Sequence, residues 1–247
     1  MDAGAFGVLP VAGLIDSFSG AIDFIFSPRE SATGGVEVGG LGDIWDKLVV
    51  HLELSAIAMA MALAIGIPIG LYLGHKGRGE LFAVAIGNAG RAIPELILIA
   101  FVAAFLGFGL LNVSLALMVL GVPPILTNAF VGVRQVDRNV VEAARGMGMT
   151  GWEVVRRVEL PLAAPTIMSG VRTAAINIIA TATIAPLAGE VTLGDFIIAR
   201  NVYGDEGVLA GAILVALLAI VVEIGLAGVQ RSLTPAGLSL QRERARA

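Results

Sequence analysis

Long stretches without a charged residue constrain this chain more than any other feature. Residues 96–133 run for 38 positions without Asp, Glu, Lys or Arg, and residues 54–74 for 21. A helix needs about 20 apolar residues to cross a hydrocarbon core about 30 Å thick. The composition agrees, because 57% of the residues are hydrophobic and 15% are charged, against roughly 45–50% and about 25% in soluble domains. The sequence therefore predicts an all-α integral membrane protein.

Residues that the chain lacks exclude several kinds of site. It has no cysteine, and its two histidines, His51 and His75, would lie about 36 Å apart on one continuous helix, so we expect no metal and no cofactor. No G-x-x-x-x-G-K-[ST] phosphate loop occurs, so any ATP must be bound by a separate chain. The net charge of −4, with two lysines, argues against nucleic acid as a partner. An intramembrane enzyme would need a cluster of catalytic side chains. It is disfavoured because the two histidines lie far apart and cysteine is absent.

The uncharged stretches divide into five predicted membrane spans. The 38-residue stretch is too long for one crossing and contains the turn-like sequence Gly107-Phe108-Gly109, so we divide it there. The second span contains Pro94, which interrupts helical hydrogen bonding. We interpret it as one kinked helix, and two short helices with six spans in total are the alternative. The predicted spans are 48–74, 80–109, 112–135, 163–187 and 207–230.

Basic residues predict the orientation of these spans. Eleven Lys and Arg residues fall on one side of the membrane and three on the other, and the more basic side is cytoplasmic. The amino terminus is therefore predicted outside and the carboxyl terminus in the cytoplasm. Residues 1–46 are expected outside, with an interfacial helix within 5–26 and a flexible glycine-rich connector over 31–42. The transmembrane domain is predicted over 47–232, and a cytoplasmic basic tail over 233–247.

The longest predicted cytoplasmic loop, 136–162, is the most informative segment. Residues 140–145 favour a helix that ends at a glycine cluster. A second short helix is predicted from Trp152 to Leu160-Pro161, because the residue before a proline disfavours helix. A compact helix that stands off a membrane bundle suits insertion into a groove of a partner protein.

The pattern Glu142-Ala143-Ala144, then Gly148, then Val158-x-Leu160-Pro161 resembles the EAA loop of type I ABC importer permeases. In that family the loop forms a coupling helix seated in a cleft of a cytoplasmic ATPase subunit. The resemblance implies the type I ABC importer transmembrane fold, a second permease subunit and an extracytoplasmic substrate-binding protein, with no catalysis by this chain. The ATPase-coupling residues that it implies are Glu142, Ala143, Ala144, Gly148, Leu160 and Pro161.

Other segments resemble the osmoprotectant subgroup of these permeases, which imports glycine betaine, choline, carnitine and similar quaternary amines. The segments are 146–152, 156–162, 170–174 and Arg91-Ala92-Ile93-Pro94. The chain departs from the usual sequence of this subgroup at two places that bear on the translocation path. Glu95 stands where the subgroup has a small residue, and 190–194 replaces a more glycine-rich outer loop. Permeases for methionine, sulfonate or nitrate are the alternative within the same class.

Polar residues within the spans are candidates for lining the pore or for locking helices together, since charges in hydrocarbon are costly. Arg172 and Glu223 lie at matching depths in the fourth and fifth spans and are predicted to pair, with separate snorkelling to the interface as the alternative. Two stripes at helical spacing are pore candidates, although such residues also mediate helix packing. The stripes are Thr173, Asn177 and Thr181 on the fourth span and Ser114, Gly121 and Asn128 on the third.

A secondary transporter is the alternative from a different class. Such a protein places ion-coupling carboxylates near the middle of the membrane and often contains internal repeats. Glu95 and Glu223 are instead expected toward the cytoplasmic ends of their spans, and the sequence has no visible repeat. We therefore expect a multi-pass importer subunit, surrounded by lipid, in a prokaryotic cell membrane.

Overall fold

Helices make up most of the computed structural model, which describes residues 11–234. Two short strands, β1 (Pro28–Glu30) and β2 (Glu37–Gly39), form an antiparallel pair. A π-helical turn at Val155–Glu159 leads into α8, and a 3₁₀ helix at Ala182–Ala188 follows it. The α-helices are α1 (Val11–Phe26), α2 (Gly40–Lys76), α3 (Glu80–Ala92), α4 (Glu95–Leu106), α5 (Leu110–Arg134), α6 (Arg138–Gly146), α7 (Gly151–Val154), α8 (Leu160–Thr181), α9 (Asp195–Ile198) and α10 (Arg200–Leu233).

Within the described part of the chain, four helical runs are long and apolar enough to cross a membrane. They correspond to the predicted first, third, fourth and fifth spans. Their bounds are Gly40–Lys76, Leu110–Arg134, Gly151–Ala188 and Arg200–Leu233.

The prediction of a single kinked helix for the second span is wrong. α3 ends at Ala92 and α4 begins at Glu95, with Pro94 in an extended conformation. Proline has no N–H to donate and disfavours helix at the residue before it, so the helix breaks at Ile93 and Pro94. At 1.5 Å per residue, α3 and α4 are about 20 and 18 Å long. Neither alone covers a core of about 30 Å.

The central helix of the bundle is α5, which packs against α2, α3, α4 and α8. α2 approaches α5 through Gly66, Gly70 and Gly74, which are four residues apart and share one face of the helix. A Cβ atom at Gly70 would lie 2.6 Å from the Cβ atom of Ala129. Glycine is therefore needed for this close approach of two backbones, a common basis of helix packing in membranes.

The predicted flexible connector over 31–42 is also wrong. This segment contains the turn and the second strand of a hairpin, in which Pro28 pairs with Gly39. α2 then begins at Gly40. Gly39 and Gly40 have φ of 78° and 69°, a backbone conformation that glycine adopts without steric cost. Gly39 and Gly40 thus form the tight connection between β2 and α2.

The hairpin and α1 pack against α9 and the beginning of α10. Phe24 of α1 is fully buried and meets Phe196 of α9 edge to face, with ring centroids 5.4 Å apart. Arg29 lies 3.5 Å from Glu206. α1 is helical, as expected within 5–26, and its placement at the membrane interface stays a prediction. Residues 1–10 of that segment and 235–247 of the predicted basic tail lie outside the described residues.

Candidate functional site

The first helix of the 136–162 loop is α6, which begins where the sequence supplies an N-cap. The side chain of Asp137 accepts a hydrogen bond from the backbone N–H of Asn139 at 2.9 Å, which satisfies one of the free donors at the helix start. Val141 and Ala144 are buried in a small cluster beneath the helix. Glu142 and Ala143 are exposed on the other side, so α6 offers a free acidic and small-residue face.

A glycine turn and a second capped helix follow α6. Gly148 has φ of 86° with open space around it, so its backbone conformation, not crowding, requires glycine there. Thr150 and Glu153 form a reciprocal capping box at the start of α7. Trp152 and Met147 are 71% and 73% exposed. Two large apolar side chains are therefore exposed on this loop, Met147 in the turn and Trp152 in α7, and Trp152 lines a cavity with residues of α2.

The prediction that the second loop helix ends at Leu160-Pro161 is wrong. From Gly151 the chain stays helical into α8, because Val155–Glu159 adopts a π-helical turn. The backbone N–H of Leu160 bonds to the carbonyl of Val155, five residues back. The wider turn accommodates Pro161, which lacks an N–H and clashes with a carbonyl four residues back in an α-helix. Leu160 and Pro161 therefore lie in the first turn of α8, and the loop connects rigidly to a membrane helix.

Sequence reasoning missed a contact between this loop and α2. Glu159 is fully buried, and its Oε2 lies 2.7 Å from Nδ1 of His75. Its other oxygen, Oε1, is buried without a hydrogen-bond partner. In the sequence, Glu159 follows two arginines and is typical of a solvated loop, so no local signal indicated its burial.

Arg172 and Glu223 are brought together by the packing of α8 against α10. The Arg172 guanidinium contacts both the Glu223 carboxylate and the side-chain oxygen of Gln230. The amide nitrogen of Gln230 donates to the carbonyl of Pro165 at 2.7 Å. The result is a polar cluster across two membrane helices, and the predicted pair has Gln230 as a third member that the sequence did not indicate.

The two polar stripes are only partly brought together. Asn128, Thr173 and Asn177 line one cavity of about 180 Å³, between α3, α5 and α8. Ser114 is buried and donates to the carbonyl of Leu54 at 3.3 Å. Gly121 packs against Ile178.

Thr181, the last residue of the fourth-span stripe, follows Asn177 by one helical turn and is not among the residues that line this cavity. It is 1% exposed, and its hydroxyl donates to Oε2 of Glu95 at 2.8 Å. Because Thr181 is 18 residues beyond Ala163, it lies about 27 Å along the helix axis. The expectation that Glu95 lies near the cytoplasmic end of its span is therefore wrong. α3 rises about 20 Å before the break, which carries Glu95 along the bundle to the level of Thr181, with its side chain exposed.

Comparison with known proteins identifies the family. The family model described as "Binding-protein-dependent transport system inner membrane component" matches residues 66–235. The chain belongs to this family. It is thus a multi-pass inner-membrane transport component, which excludes the secondary-transporter alternative.

Two relatives of this inner-membrane component are named for quaternary amines. The choline transport system permease protein OpuBB of Bacillus subtilis is 40% identical over 203 residues, which cover 82% of this chain and 94% of that protein. The carnitine transport permease protein OpuCB of Listeria monocytogenes is 39% identical over 194 residues, which cover 78% and 89%.

A solved structure has the same fold. The inward-facing MetNI methionine ABC transporter aligns with a TM-score of 0.67 at 23% identity, over 78% of this chain and 96% of that chain. The type I ABC importer fold expected from the sequence is therefore confirmed.

Proposed function

We propose that this chain is the permease subunit of an ATP-driven importer and forms half of a translocation pathway for a quaternary-amine osmoprotectant. The observation that carries the substrate class is its similarity, at about 40% identity over most of both chains, to permeases named for choline and carnitine. Glycine betaine, carnitine and choline share a quaternary ammonium group. The second half of the pathway is an identical or related permease.

The proposed topology has five crossings, with α3 and α4 together forming the second. Each of these helices is shorter than the hydrocarbon core, and their summed length of about 38 Å exceeds it. Five crossings leave the amino terminus outside, where a binding protein delivers substrate, and the carboxyl terminus in the cytoplasm. The transmembrane domain is residues 47–232, between the outer segment 1–46 and the tail 233–247.

The proposed energy source is an ATPase subunit that binds the 136–162 loop. The support is that Glu142 and Ala143 of α6 and Trp152 of α7 are all exposed on this loop. The helical run from Gly151 to Ala188 has no break between the loop and the membrane. Closure of the ATPase dimer would therefore move α8 as a rigid lever, a common way of switching access between two sides.

Uptake by the complete importer tests the substrate class. The permease would be co-expressed with candidate ATPase and substrate-binding proteins from its own organism, in cells without other osmoprotectant uptake. We expect ATP-dependent uptake of radiolabelled choline, carnitine or glycine betaine, and none of methionine. Uptake of methionine without any quaternary amine would overturn the proposal.

A charge reversal tests the coupling role. Glu142→Lys should prevent co-purification of the ATPase without altering the thermal unfolding of the permease, because Glu142 is exposed. Asn139→Lys, on the same helix and also exposed, is the matched control and should retain the ATPase. Equal retention by both variants would exclude Glu142 from the docking face.

A further inference from the structure

Two interrupted helices meet at Glu95. α4 begins at this residue, directly after the break at Ile93 and Pro94. α8 ends at Thr181, where the chain tightens into the 3₁₀ helix. The Thr181 hydroxyl donates to the Glu95 carboxylate at 2.8 Å, which joins the two breaks. Discontinuous helices whose ends converge within a membrane protein typically form binding sites.

The Glu95 carboxylate has no cationic partner among the side chains that the structure describes. Its one hydrogen bond there comes from a neutral hydroxyl, and its side chain is exposed. The amino-terminal end of α4 stabilises a negative charge at this position. A cation that enters the pathway would be attracted to the exposed Glu95 carboxylate.

Polar side chains continue from Glu95 along the same face of α8. Asn177 is one helical turn before Thr181, and Thr173 is one turn before Asn177. Both line the cavity of about 180 Å³ with Asn128. Asn128 and Thr173 bond to carbonyls of their own helices. The exposed Asn177 amide makes no hydrogen bond within the described residues, so it is free to bind a ligand.

We infer that Glu95 and this cavity form a cation subsite inside the permease, at which the quaternary ammonium head of the substrate pauses during import. The inference rests on the proposed function and assigns part of substrate selection to the permease itself. A quaternary ammonium has no N–H to donate, so a carboxylate recognises it through charge. The Asn177 amide then contacts the hydroxyl or carboxylate end of the substrate. The cavity is smaller than the roughly 300–1,000 Å³ of drug-sized sites, as befits a small ligand.

Binding without the substrate-binding protein tests this subsite directly. The permease and its ATPase would be reconstituted in lipid nanodiscs, and bound radiolabelled choline would be measured with and without tetramethylammonium as a competitor. Glu95→Gln, nearly the same shape, should weaken choline binding at least about tenfold. Glu95→Asp, which keeps the charge, should retain most of it. Asp46→Asn removes an exposed carboxylate from α2 and should bind choline as the wild type does.

Each result decides between the subsite and another role for Glu95. Choline binding that resists tetramethylammonium, or is equal in wild type and Glu95→Gln, would overturn the inference, as would the absence of binding to the wild type. Loss of the ATPase from Glu95→Gln complexes would assign the carboxylate a structural role instead. A different result would overturn the proposed function itself: no uptake of any quaternary amine by the complete wild-type importer. Uptake by the wild type with unchanged uptake by Glu95→Gln would exclude the subsite alone.

Discussion

Nδ1 of His75, one residue before the end of α2, lies 2.7 Å from Oε2 of Glu159, the last residue of the π-helical turn. This contact joins the first long membrane helix to the segment that connects the 136–162 loop to α8. Glu159 is fully buried, and His75 is the side chain within hydrogen-bond distance of it. The pair therefore holds the base of the loop against the bundle.

His75→Ala should destabilise the protein, because it leaves the Glu159 carboxylate buried without its partner. Leaving a buried hydrogen-bonding group without its partner costs about 1–3 kcal/mol, and more for a charged group. Glu159→Gln in the same background replaces the carboxyl by an amide, so the double variant should be more stable than the sum of the single effects predicts. Thermal unfolding of the four proteins in detergent measures this coupling. Lys76→Ala, at the exposed neighbouring position, is the control, and strictly additive effects would contradict the pairing.

Arg172→Ala and Glu223→Ala should each lower the thermal stability and the uptake rate. Each change leaves the other charge of the α8–α10 cluster without its counterpart, and the double variant should be less harmful than the two losses added together. Arg200 and Asp205 form an exposed pair on α10 and provide a matched double-mutant cycle. That control should give a coupling energy near zero. Equal coupling in both cycles would mean that Arg172 and Glu223 do not lock the helices.

Gly148→Ala should destabilise the 136–162 loop, whereas Gly146→Ala should not. Neither position has an atom within 4 Å of an added Cβ, but only Gly148 has a positive φ, of 86°. An L-residue in the left-handed region costs about 1–2 kcal/mol. In contrast, alanine is the better helix former at the end of α6. Thermal unfolding and ATPase co-purification would be compared, and equal behaviour of the two variants would contradict the role of the backbone conformation.

Stability should fall as the pH rises through the titration of Glu190. Burial, followed by the nearby charge of Glu53, raises the pKa of the Glu190 carboxyl. Below its unfolded pKa the group is protonated in both states and costs nothing. Above the raised pKa it is ionised in both, and the folded state is disfavoured. Glu190→Gln should therefore raise the melting temperature slightly at neutral pH and not at pH about 4. A benefit that persists at acidic pH would indicate a cause other than charge.

The sequence predicted the parts of this protein that depend on local pattern. Uncharged stretches located four long helices because the hydrocarbon core sets a minimum length for any crossing. The first helix of the 136–162 loop was predicted over 140–145 from its helix-forming residues and from the glycines that follow them, since both signals are local. The EAA-like pattern identified the family for the same reason, because its residues lie within one short segment.

Tertiary structure alone decided which distant residues meet. Three contacts join positions 58 to 86 residues apart. They are the contacts of His75 with Glu159, of Arg172 with Gln230 and of Glu95 with Thr181. The spacing of apolar and polar residues predicts which face of a helix is packed. It does not predict the rotation or the depth of the neighbouring helix. The break at Pro94 is an example, since the proline was visible in the sequence and its effect on the depth of Glu95 was not. Those depths are set by close backbone packing, such as that of Gly70 on α5. The spacing of Gly66, Gly70 and Gly74 marks a face for such packing but not the helix that packs against it.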